Sequence, residues 1–156
     1  MPADNRVVQY LLTDSRKLIF PDTTLFFAIS GPRRDGHSFI AELYDRGLRC
    51  FVVQKNSIDL SAYSGASFLE VADVLKALQQ LAAFHRAQFT IPVIGITGSN
   101  GKTIVKEWLY QLMNTDHQIV RSPRSYNSQI GVPLSVWQLQ PIHTLAIFEA
   151  GISQKN

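Results

Sequence analysis

An α/β chain built on parallel sheets, with a phosphate-binding loop near its middle, is the fold class this sequence predicts. Three observations predict it. Short apolar runs of strand length alternate with helical patterns along the 156 residues. The alternation is interrupted once, at Phe89-Thr90-Ile91-Pro92, and resumes beyond it, which argues for two domains, residues 1–88 and 92–156. Directly after the break, Pro92 to Thr103 reads as an apolar strand, a glycine-rich turn and a Lys-Thr pair opening a helix.

Residues 7–12 have strand character, and Asp14-Ser15-Arg16 comes directly after them. Pro21-Asp22 marks a turn, and Leu25 to Ile29 reads as a buried strand closed by Ser30-Gly31-Pro32. Asp35-Gly36 is a second turn signal. A helix comes next in which Phe39, Ile40, Leu43 and Tyr44 share a face, with Gly47 placed to stop it. Leu48 to Val53 is a strand, 54–66 a loop and 67–70 a short strand. Over 71–88 the stripe Val71, Val74, Leu75, Leu78, Leu81, Ala82, His85 predicts the longest helix. Beyond the break come a strand at 93–96, and a helix over 103–114 with Ile104, Val105, Trp108, Leu109 and Leu112 as its apolar face. Then come a strand at 117–121, a loop at 122–127, a short helix within 128–139, and an apolar strand over 145–148 ending at Glu149.

Composition narrows the function classes. The chain is 46% hydrophobic and 17% charged, as for an ordinary globular protein. Its net charge of +3 is dispersed, with basic pairs only at Arg16-Lys17 and Arg33-Arg34, which argues against nucleic acid as a partner. Cys50 is the single cysteine, so no intrachain disulfide or thiolate cluster can form, and its apolar surroundings suit the core. The N-terminus lacks an apolar signal core and no run approaches the length of a membrane span. The expectation is a cytoplasmic protein without membrane insertion.

The turn after the 93–96 strand carries the chemistry. Glycines let backbone N–H groups surround an anion, and the helix N-terminus behind them adds partial positive charge. Gly98, Ser99, Asn100 and Gly101 would cradle the phosphates, Lys102 would reach the β- and γ-phosphates, and the Thr103 hydroxyl would ligate Mg²⁺. The general pattern G-x-x-x-x-G-K-[ST] asks for glycine at 96, where Ile96 stands. Glu149, at the end of an apolar strand, is a second candidate for Mg²⁺. Asn127 lies in a loop returning to the same sheet edge; on pattern alone it reads as a turn residue. By the same measure Asp14-Ser15-Arg16 reads as a loop with a surface ion pair, and His37 and His85 read as structural.

Gly95-Ile96-Thr97-Gly98-Ser99-Asn100-Gly101-Lys102-Thr103 resembles the ATP loop of the Mur ligase family, and Lys106-Glu107 continues it as in the MurF-type members. Asp14-Ser15-Arg16, Leu25 to Gly31 and Asp35-Gly36-His37 resemble that family's uridine-nucleotide domain in order and spacing. Asn127-x-x-Ile130-Gly131-Val132-Pro133-Leu134 resembles its asparagine segment, and Phe148-Glu149-Ala150-Gly151 its Mg²⁺-ligand strand end. The pattern departs at Ile104, Ser125 and Ser128. The resemblance implies a small N-terminal domain holding the UDP-substrate through Asp14, Ser15, Arg16, Gly31 and His37, followed by the start of an ATP-binding domain. That domain would use ATP and Mg²⁺, with Lys102 catalytic and Asn127 at the nucleotide. The implied reaction joins D-alanyl-D-alanine to UDP-N-acetylmuramoyl-tripeptide through an acyl phosphate, in peptidoglycan precursor synthesis. Three other readings share these motifs in part: the ligase adding the third stem residue, a folylpolyglutamate-synthetase-like ligase, and a non-catalytic nucleotide-binding module. Only three strands follow residue 91, so the sequence reads as the N-terminal part of a longer protein, expected to be inactive by itself. Some close relatives carry an alanine racemase beyond such a region.

Overall fold

The computed structural model describes residues 6–32 and 34–151. Arg33, of the second basic pair, lies outside them. Two compact units divide the chain between Ala77 and Leu78, inside a helix that the sequence reading assigns wholly to the first domain.

The first unit is a four-stranded parallel sheet of β1 (Tyr10–Leu12), β2 (Thr24–Phe27), β5 (Cys50–Gln54) and β6 (Ser67–Val71), in the order β1-β2-β5-β6. Phe51, Val52 and Val53 of β5 are all buried, the continuous apolar run of a strand covered on both faces. Cys50, at the start of that run, is only half-buried. A small antiparallel pair, β3 (Ser30–Gly31) and β4 (Arg34–Asp35), stands where the sequence suggests turns. Helix α1 (Ile40–Asp45) places Ile40 and Leu43 in the core beside Phe26, Leu48 and Phe51. It ends at Gly47, as expected. Gly47 takes φ +94°, its N–H bonds to Tyr44 O, and the Leu48 N–H bonds to Leu43 O. That paired closure also buries Leu48 with Leu43.

Helix α2 (Val74–Ala87) starts later than the periodicity suggests, because Val71 completes β6 and the Asp73 carboxylate caps the helix by accepting from Lys76 N–H at 2.9 Å. His85 is structural: its Nε2 bonds Leu139 O at 3.0 Å and its ring packs on Phe89 and Trp137.

The second unit holds a three-stranded parallel sheet in the order β7-β9-β8: β7 (Val93–Ile96), β8 (Ile119–Arg121) and β9 (Leu145–Glu149). Helix α3 (Lys102–Met113) connects β7 to β8, and α4 (Gly131–Val136) precedes β9. Central β9 is buried at every position. The predicted apolar face of α3 is corrected by the structure. Ile104, Val105, Trp108 and Leu112 are exposed. Leu109 and Met113 pack against Ile96, Leu145 and Ile147, and Lys106 lies fully buried on the same side. Lys102, Lys106, Leu109 and Met113 also keep helical spacing, but two charged positions hide that stripe from a count of apolar residues.

Candidate functional site

Strand order places the site. β7 and β8 are consecutive strands, yet β9 inserts between them. The loops leaving the carboxyl ends of the three strands gather at this switch in strand order, where parallel sheets bind ligands.

The first loop runs from Ile96 to α3. Gly98 and Gly101 take φ +136° and +77°, conformations open to glycine, and no heavy atom lies within 4 Å of where their Cβ atoms would stand. Gly101 is the N-cap of α3 and supplies no capping side chain, so the first N–H groups of the helix face the loop with the positive end of the helix dipole. The Lys102 ammonium lies across the loop, donating to Gly98 O at 2.6 Å.

The end of β9 meets this loop. Thr103 Oγ1 donates to Glu149 Oε2 at 3.1 Å. Glu149 is fully buried, its N–H donates to Ser122 Oγ at 3.0 Å, and its Oε1 stands 2.8 Å from Lys106 Nζ. That contact is an ion pair without hydrogen-bond alignment: the aligned donations of Lys106 go to Ser122 O at 2.8 Å and Arg124 O at 2.6 Å. A hard divalent cation fits this donor set. Ligands of an octahedral Mg²⁺ at roughly 2.0–2.1 Å stand about 2.9 Å from one another, close to the 3.1 Å between the Thr103 and Glu149 oxygens. No group of three or more His, Cys, Asp or Glu side chains suited to a metal occurs among the described residues. The remaining ligands would therefore be water and phosphate oxygens.

The loop after β8 completes the edge. Asn127 O accepts from Gly151 N–H at 2.7 Å, and a Cβ on Gly151 would stand 2.7 Å from that same oxygen, so only glycine fits there. This contact brings Asn127 to the strand end that carries Glu149. Beside them opens a cavity of about 490 Å³ lined by Ala83, Arg86, Asn127, Val132, Pro133 and Gly151, among others.

In the first unit, parallel pairing of β1 with β2 puts the loops after both strands on one sheet edge. Asp14 accepts from Arg16 through Nε and Nη2, both at 2.8 Å. This holds the Asp14 carboxyl down at about 2 and raises the Arg16 guanidinium above its ordinary value. Ser15 is buried and its carbonyl accepts from Arg46, whereas the Arg16 side chain is largely exposed. Gly31 is exposed on β3. His37 is buried with both ring nitrogens engaged: Nε2 accepts from Gln54 N–H at 3.0 Å, so Nδ1 carries the proton that meets Asp35 Oδ1 at 2.6 Å. Hydrogen bonds from Ser30 Oγ, then from His37, hold the Asp35 carboxyl at about 2. The contacts made by Asp35, Lys106, Ser122 and Arg124 are not foreseen in the sequence reading, which takes Asp35 as part of a turn and Lys106 as part of the motif that continues the loop. The helical stripe shared by Lys106 and Leu109 is the available signal for the burial of Lys106.

Two family models match the chain. One, described as Mur ligase family, catalytic domain, matches residues 8–86, and the other, Mur ligase middle domain, matches residues 96–156. Among curated relatives, the UDP-N-acetylmuramoyl-tripeptide–D-alanyl-D-alanine ligase of Borreliella burgdorferi is 36% identical over 155 residues, covering 95% of this chain and 33% of that protein. The enzyme of the same name from Synechocystis is 39% identical over 142 residues, covering 91% and 30%. The chain thus spans about a third of the length of these relatives. Among solved structures, a UDP-N-acetylmuramoylalanyl-D-glutamyl-2,6-diaminopimelate–D-alanyl-D-alanyl ligase from Acinetobacter baumannii superposes with a TM-score of 0.83 at 31% identity, over 96% of this chain and 32% of that one. MurF ligase from Thermotoga maritima in complex with ADP superposes at 0.79 and 25% identity, over 97% and 34%. The mixed α/β architecture with parallel sheets is common to them.

Proposed function

Because the chain belongs to the Mur ligase family, we propose that the protein is an ATP-dependent ligase that joins D-alanyl-D-alanine to UDP-N-acetylmuramoyl-tripeptide in the cytoplasm. The observation that carries this reading is the meeting of the Gly98–Thr103 loop with Glu149 at the switch in strand order. The names of the relatives supply the substrates.

In this reading residues 1–88 hold the UDP end of the substrate and residues 92–156 begin the ATP domain. ATP with Mg²⁺ supplies the phosphoryl group that activates the tripeptide carboxylate. The loop N–H groups from Gly98 to Gly101 and the start of α3 bind phosphate oxygens. Lys102 exchanges its bond to Gly98 O for the phosphates and neutralises charge on the group in transfer. Thr103 Oγ1 and Glu149 Oε2 hold the cation, and Asn127 positions bound groups at the same edge. Asp14, Ser15, Arg16, Gly31 and His37 shape the UDP site. Arg16 makes the direct contact, Asp14 orients it, and Ser15 and His37 brace the loops from within.

The test is phosphate release from ATP by the protein carrying this chain, with the UDP-tripeptide and D-alanyl-D-alanine both present. Lys102→Ala should lower turnover by about 10²-fold or more. Release that needs neither substrate, or a Lys102→Ala turnover within tenfold of the parent, overturns the reading.

A further inference from the structure

Lys106 is the one lysine that the described structure buries completely, and the phosphate chemistry above does not use it. Lysine is almost never fully buried unless paired, and taking an ammonium and a carboxylate out of water is costly. Replacing the two members of such a pair together by apolar residues of similar volume is often neutral or stabilising, so stability alone does not account for the pair. The position of the Lys106 charge is therefore what calls for an explanation.

Its ammonium stands at the junction of three parts of the site. The stem leaves α3 one turn after Lys102. Two donations fix the backbone after β8, at Ser122 O and at Arg124 O, where Arg124 adopts a left-handed φ of +50°. The third approach, 2.8 Å, is to Glu149 Oε1. The other Glu149 oxygen is thereby left to Thr103. The half-buried neighbour Glu107 is farther, at 3.4 Å, and is shared with Arg121 at 3.1 Å.

Resting on the reading of the loop as a nucleotide site, we propose that Lys106 is a positioning residue for the cation. It holds Glu149 by Oε1, so that a single oxygen, Oε2, faces the metal beside the Thr103 hydroxyl. It also pins the loop that carries Asn127 to the same strand end. Lys106 touches neither nucleotide nor metal, and acts through Glu149 as the outer partners of metal ligands do.

The experiment uses the protein carrying this chain, ADP as nucleotide and Mn²⁺ as a spectroscopic stand-in for Mg²⁺, read by electron paramagnetic resonance. Circular dichroism melts establish that each variant is folded. Lys106→Met keeps the stem and removes the charge. Lys106→Arg keeps the charge and displaces it. Both should weaken Mn²⁺ binding in the presence of ADP by about 10- to 100-fold and leave ADP binding in excess chelator within about twofold of the parent. Glu107→Gln should bind Mn²⁺ as the parent does. Should Lys106→Met not fold, Lys106→Arg decides: parental Mn²⁺ affinity there means the charge only balances Glu149, which overturns the proposal. Parental Mn²⁺ affinity in folded Lys106→Met overturns it equally. A parent protein that binds neither ADP nor Mn²⁺ overturns the nucleotide-site reading and this inference with it, an outcome distinct from the other two.

Discussion

Thr103 and Glu149 join the first turn of α3 to the last residue of β9 through one hydrogen bond, Oγ1 to Oε2 at 3.1 Å. The carboxylate that accepts it is fully buried, so this donor has no water to replace it. Removing the hydroxyl while keeping the shape, as in Thr103→Val, leaves Oε2 with an unmet bond at a cost of about 1–3 kcal/mol. For a chain of this size that lowers the melting temperature by roughly 2–4 °C per kcal/mol. Thr103→Ser retains a donor and should melt close to the parent. A Thr103→Val protein that melts with the parent would mean that the bond adds nothing to the fold, and that Glu149 is held by Lys106 and Ser122 alone.

Acid should loosen the first unit at its two loops. Asp14 and Asp35 each titrate at about 2 in the folded chain, against 3.8 ordinarily. A carboxyl whose folded value is depressed contributes stability that is fully present above the unfolded value and is lost as pH falls through the folded one. The window therefore runs from about pH 4 down to about pH 2. Solvent screening at the largely exposed Asp35 keeps its share small. Urea midpoints of the parent and Asp35→Asn should differ by a constant amount from pH 5 to 7 and converge below pH 4. A gap as wide at pH 2.5 as at pH 6 would show that the carboxylate is not held low by Ser30 and His37.

Much of this architecture is legible in the sequence, and the exceptions have identifiable causes. The strand–loop–helix at Val93 to Met113, the apolar run Leu145 to Phe148 of β9 and the Gly47 stop each arise from local chemistry that neighbouring residues do not override. The β3–β4 pair is hidden because Ser30-Gly31 and Arg34-Asp35 carry little strand propensity and each strand is only two residues long. Val71 reads as helical because the last residue of a strand can fall in phase with the apolar stripe of the next helix, here Val74, Leu75 and Leu78. In the site, Gly98 to Thr103 and Glu149 are recognisable by type. Their partner Lys106 is not, since a charged residue weighs against burial until its acceptors are known.

The face of α3 can be tested in the same terms. Helical spacing alone allows two faces, and the structure packs Leu109 and Met113 inward while Trp108 is 62% exposed. In this chain Leu109→Ala should cost roughly 2 kcal/mol, and Trp108→Gln should stay within about 0.5 kcal/mol of the parent. Equilibrium urea unfolding tracked by far-ultraviolet circular dichroism separates the two. The reverse order of costs would restore the face read from the apolar count.

If the proposed function holds, Arg16 separates the two units by function. Its guanidinium is pinned by Asp14 through Nε and Nη2, which holds the fork in one orientation while most of the side chain remains exposed. A fork held in place loses little freedom when it grips a phosphate or a uracil oxygen, and its charge persists at any working pH. In the proposed function, contacts at the UDP end would be remote from the reacting carboxylate and would position the substrate more than lower the barrier. In the protein carrying this chain, Arg16→Ala should therefore raise KM for the UDP-substrate and leave KM for ATP nearly unchanged. One charge-assisted bond is worth about 1.5–3 kcal/mol, or roughly ten- to a hundredfold. Asp14→Asn keeps the cation but loosens its fork, so it should raise the same KM by a smaller factor. If the ATP KM rises in Arg16→Ala while that of the UDP-substrate holds, the loop after β1 serves the other ligand.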